Sequence, residues 1–90
     1  MSEYFVTFDP DEVLGSPVAT AIRSGLEKLA PNNWFQVFPF QIVLRSELSL
    51  EGLTKKLEII AGKNRFSIVE ASNWEFRDRG RETLMKNQGF

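Results

Sequence analysis

Asp9 closes the apolar run Tyr4-Phe5-Val6-Thr7-Phe8, and Asp11 and Glu12 follow within three positions. Carboxylates grouped in this way offer hard oxygen ligands, which suit Mg²⁺ or Mn²⁺ and, through such a metal, hydrolysis of a phosphodiester. A catalytic metal centre on Asp9 would need two copies of the chain to meet so that their Asp9 side chains approach across an axis. The structural alternative is that an Asp before Pro10 simply ends a strand. A second candidate is the alternation of Arg77, Arg79 and Arg81 with Asp78, Gly80 and Glu82. In an extended arm the three guanidinium groups share one side and form a row that can contact nucleic-acid phosphates. Otherwise it is a solvated arm of mixed charge. Lys55, Lys56, Lys63 and Arg65 would enlarge that positive surface, although lysines near helix ends also answer the helix dipole. Trp34, Phe35, Phe38, Phe40, Trp74 and Phe76 have ring area for stacking on bases. At strand spacing, however, such aromatics fit a core or an interface better.

The composition removes most other chemistry. The 90 residues contain no Cys and no His, which excludes disulfides, thiolate nucleophiles, Cys/His zinc sites and histidine-based triads. A formal net charge of −1 provides no global field to draw in nucleic acid or anionic lipid. Gly15, Gly25, Gly52 and Gly62 form no phosphate-binding loop pattern. The start of the chain lacks the features of a secretory signal, and no segment reaches the ~20 apolar residues of a membrane-spanning helix. A cytoplasmic protein that does not engage membranes is the expectation.

The elements that must position these residues follow from periodicity. Residues 3–9 are aromatic and β-branched and predict a strand, ended by Asp9-Pro10-Asp11. Ser16 as N-cap, Pro17 at the first helical position, and the spacing of Val18, Ile22, Leu26 and Leu29 predict a helix that stops at Pro31. Trp34–Phe38 and Phe40–Arg45 predict a hairpin with Pro39 in its turn or a bulge. Ser49 caps a second helix with Leu50, Leu53, Leu57 and Ile60 on one stripe, a Glu51–Lys55 pair, and Gly62 at its C-terminal end. Arg65–Ala71 predicts a fourth strand, broken by Ser72-Asn73. Trp74–Arg77 is either a short fifth strand or an ordered arm, and residues 77–90 are an arm or flexible tail. The resulting order β-α-β-β-α-β is that of the ferredoxin-like split βαβ fold: α+β, one antiparallel sheet, both helices on one face, one domain over residues 1–90.

Alternation along each strand sorts side chains between the two faces. Tyr4, Val6 and Phe8, with Phe40, Ile42, Leu44, Phe66 and Ile68, are the stronger apolar sets and belong under the helices. Trp34, Gln36 and Phe38 oppose Phe35 and Val37 with no clear preference. The other face would keep Phe5, Val43 and Val69, together with Phe35 and Val37, an apolar cluster too large for a soluble monomer to leave open. A homodimer through this face, aided by the C-terminal arm, is the expectation. Coverage by the arm within one chain is the alternative.

With its elements in this order, the chain resembles the small ferredoxin-like proteins related to the CRISPR-associated adaptation subunit, in particular the SinR-like branch. The resemblance lies in Tyr4–Asp9, Trp34-Phe35, Ile42–Ser49, and Phe66–Ala71 leading to Asn73-Trp74, and spans residues 3–76. It implies a homodimer with a two-fold axis near the strand ends, an Asp matching Asp9 at that axis, and metal-dependent nuclease activity in some members, a DNA-holding scaffold in others. This chain departs from the pattern in having Pro10–Gly15 where an Arg-rich helix start is expected, and in lacking a strongly basic surface. The reading that follows is a homodimeric, non-catalytic interaction module with a protein or nucleic-acid partner. The alternatives are a Mg²⁺- or Mn²⁺-dependent nuclease using Asp9, or an accessory or antagonist subunit of a larger machine.

Overall fold

The computed structural model describes residues 1–9, 17–78 and 80–90, the side chain of Val18 excepted. Asp11, Glu12, Gly15, Ser16 and Arg79, which the sequence singles out, lie outside the described residues. The elements run β1 (Ser2–Asp9), α1 (Pro17–Leu29), β2 (Trp34–Phe38), β3 (Gln41–Ser46), α2 (Leu50–Ala61), β4 (Arg65–Ala71) and α3 (Glu82–Asn87). The strands form one four-stranded sheet in the order β2-β3-β1-β4, with every neighbouring pair antiparallel. The βαββαβ order of the sequence reading is present, followed by a third helix that the polar composition of residues 81–90 did not announce.

One sheet face is packed by α1 and α2. Tyr4, Val6 and Phe8 of β1 join Ile42 and Leu44 of β3, Ile22 and Leu26 of α1, and Leu53 and Leu57 of α2 in one buried cluster. Each such aliphatic side chain removed from water contributes about 1.5–3 kcal/mol. Leu29, Ile60, Phe66 and Ile68 close its border, while Leu50, expected on the α2 stripe, is largely exposed. The helices approach so closely that a Cβ on Gly25 would lie 2.8 Å from two carbons of Ile60. Ser49 caps α2 as expected, its hydroxyl accepting from the Gly52 N–H at 3.0 Å, and the Glu51–Lys55 pair closes at 3.2 Å. Gly62 ends the helix at φ 60°, a backbone state that costs a residue without Cβ little.

The hairpin resolves the ambiguity of β2. Pro39 and Phe40 form its turn. Trp34 lies opposite Leu44 and Gln36 opposite Ile42, whereas Phe35 lies opposite Val43. A bulge then shifts the register so that Phe38 lies opposite Gln41. The extra residue moves Phe38 off the face shared by Trp34 and Gln36, where strict alternation had placed it. Its ring instead lies 6.2 Å from that of Phe76, on the side away from α1 and α2.

Candidate functional site

The second sheet face is where the sequence concentrates its surplus of apolar residues, and it is covered by the chain's own C-terminal segment. Phe35, Val37 and Val43 are buried at 2%, 4% and 0% exposure, with Phe5, Trp74, Phe76, Met85 and Phe90 packed on them. Trp74 meets Phe5 edge-on at 4.9 Å, and Phe76 meets Phe35 edge-on at 5.5 Å. Of the five residues expected at a dimer interface, Phe5, Phe35, Val37 and Val43 are thus shielded within one chain, and only Val69, at 55%, is largely exposed. The face assignment from alternation holds for β1 and β3, and the structure settles the open choice in β2 by placing Phe35 and Val37 on this face. The stated alternative, coverage by the arm within one chain, is what is found: the described residues of 74–90 fold back over that face and include a helix.

Polar contacts fasten the arm at two places. Glu3 accepts from Arg45 Nε at 3.0 Å and from Trp74 Nε1 at 3.2 Å. The Arg45 guanidinium lies 4.3 Å from the centroid of the Phe90 ring and also donates to the Gly89 carbonyl. At the β2 border of the sheet, Arg81 donates to the carbonyls of Val37, at 2.8 Å, and Gln36, and lies 4.8 Å from the Phe35 centroid. Those carbonyls belong to β2, an edge strand, so Arg81 caps part of an otherwise open ladder. Of the three guanidinium groups expected in a row on one side of an extended arm, Arg79 lies outside the described residues and the other two do not share a side. Arg81 turns inward over Phe35 and Phe76, where the chain bends into α3, while Arg77 is exposed. The latch formed by Glu3 and Arg45 escaped the sequence reading. Its signal was available: the two occupy the covered face, directly opposite one another in the β1–β3 register.

Asp9 ends β1 opposite Arg65, and the two side chains form an ion pair. Both are more than half exposed, so the pair adds little to stability. A shallow depression of about 310 Å³ lies beside it, lined by Thr7, Asp9, Arg65 and Ser67 among others. Among the described residues no three acidic side chains converge to hold a metal ion. The aromatic side chains considered for base stacking are largely spent on each other: Phe8 on Phe40, Phe35 and Phe38 on Phe76, and Trp74 on Phe5 and Phe90. Phe38 alone among them keeps more than half its surface in water.

The remaining feature is an edge. β4 pairs with β1 on one side only, and no described strand lies on its other side. Arg65, Ser67, Val69 and Glu70 are exposed along it. No described helix is long and apolar enough to cross a membrane. Comparison with protein-family models and with curated proteins finds no match to this chain.

Proposed function

We propose that this chain is a ferredoxin-like interaction module that works by strand addition at the outer edge of β4, with a second copy of itself as the simplest partner. The order β2-β3-β1-β4, all antiparallel, with α1 and α2 packed on one face, supports that fold reading. The observation that carries the functional reading is the seven-residue edge Arg65–Ala71, exposed where the β2 edge is capped by Arg81. An unpaired ladder of this length is a template for another strand. Antiparallel pairing of two β4 strands about Ile68 sets Ile68 against itself and Ser67 against Val69, which shields Val69 and joins two sheets into one.

The same geometry weighs against the nuclease alternative. Asp9 lies opposite Arg65, three residues from that axis. Two Asp9 side chains would therefore stand ~20 Å apart along the strands, at roughly 3.3 Å per residue, too far to share a metal ion. A nucleic-acid partner gains nothing from the overall charge of −1.

Sedimentation equilibrium tests the proposal. A species of twice 10.3 kDa is expected at micromolar to submillimolar concentration, reverting to monomer in Val69→Lys. A wild-type chain that stays monomeric across that range removes the second copy as partner.

A further inference from the structure

The arm and the face it covers are unequally committed to one another. Beneath it lie three buried residues, Phe35, Val37 and Val43, yet among the described residues of 72–90 none is itself buried. The backbone–backbone hydrogen bonds of this segment, among the described residues, stay within 78–90, so no ladder ties it to the sheet. Its helix α3 has six residues, far fewer than an isolated helix needs to persist in water. What holds the segment is a set of ring contacts and the two arginine fastenings. An open concavity of about 400 Å³ lies at the Glu3 end, lined by Glu3 and otherwise by residues of the segment itself, among them Trp74, Phe76, Met85 and Phe90. Segments with few buried contacts and no cross-strand hydrogen bonds open at a lower free energy than the core.

From this we infer that the described residues of 72–90 are a detachable strap latched by Glu3 and Arg45, and that its release exposes Phe5, Phe35, Val37 and Val43 without unfolding the domain. The hinge is Ser72-Asn73, where β4 ends and which is exposed on the surface. The Glu3 and Arg45 side chains retain 23% and 27% exposure, so solvent ions reach the latch and weaken it, in contrast to a buried pair. The latch stands one strand in from the β4 edge, with Glu3 opposite Ala71 and the hinge following β4 directly, while the Arg81 fastening lies on the opposite border of the sheet.

Hydrogen exchange on the full chain, in wild type and in Arg45→Ala and Glu3→Gln, tests the strap. Arg45→Ala removes the donor of a charge-assisted hydrogen bond and Glu3→Gln removes its negative charge while leaving an acceptor oxygen, so amides of 80–90 should exchange about tenfold faster in Arg45→Ala and by a smaller factor in Glu3→Gln. Binding of a fluorescent apolar-surface dye should rise in step. Amides of α2 around Leu53 and Leu57 should keep their wild-type protection. Equal acceleration of strap and α2 in both variants would mean that the segment belongs to one cooperative core, and unchanged dye binding would mean that the latch does not hold the cover; either result overturns the inference.

Discussion

Tyr4 is the only tyrosine in the chain, which makes it a clean reporter of the core. Its ring is 1% exposed and its hydroxyl donates to the Leu48 carbonyl at 2.8 Å, tying β1 to the loop before α2. Burial pushes the phenol above its ordinary value of 10.0, and the nearby Glu70 carboxylate acts in the same direction. A phenol whose pKa is raised on folding favours the folded state while it is neutral, below the unfolded value. That contribution is lost as pH climbs through the folded-state pKa. Ultraviolet titration of phenolate absorbance should therefore show a single midpoint above 10.0, falling to the ordinary value in denaturant. Stability of the wild type should decline over the same alkaline range, and Tyr4→Phe should lack that component. At the start of α2, Ser49→Ala removes the hydroxyl that accepts from Gly52 and should cost about 1 kcal/mol in denaturant unfolding.

The α1–α2 contact sets the geometry of the helical layer. Gly25 lets the helices meet because Ile60 fills the space where a Cβ would project. Gly25→Ala gains about 1 kcal/mol of helix propensity, yet overpacking against Ile60 costs about 1–3 kcal/mol. Net destabilisation of the single variant is expected, measured by thermal or urea unfolding. In an Ile60→Ala background the obstruction is gone, so the same change should become neutral or stabilising relative to Ile60→Ala alone. A double-mutant cycle with no coupling would refute the close approach. On the opposite face, the bulge in β2 is the corresponding device. By turning Phe38 toward Phe76 it adds one more ring to the contact surface of the strap.

For the whole molecule, the two sheet faces differ in what secures them. The α1–α2 face is sealed by elements threaded between strands, whereas the other is covered by a segment that follows the last strand. Substitutions should separate accordingly. Leu57→Ala, in the helical layer, should cost about 2–5 kcal/mol in global unfolding and speed exchange throughout. Phe76→Ala should act first on the strap, raising dye binding while the core amides of α2 keep most of their protection. If Phe76→Ala instead lowered the protection of α2 as much as Leu57→Ala does, the two faces would form one unit.

The strands, both long helices and, outside β2, the split of side chains between faces were legible in the chain itself, because alternation and helical spacing are local properties that each strand or turn carries. Ser49, Gly62 and the Glu51–Lys55 pair are of this kind, and so is the surplus of apolar residues on one side of the sheet. What covers that surplus is a long-range choice: it depends on whether Trp74, Phe76 and Phe90 find Phe5, Phe35 and Arg45 in their own chain or in another. No period in residues 72–90 encodes the answer, and six residues of α3 are too few to display a helical stripe. The bulge that re-aims Phe38, the engagement of Asp9 with Arg65 and the inward turn of Arg81 likewise arise only when distant strands and the arm meet, since each depends on a partner remote in sequence.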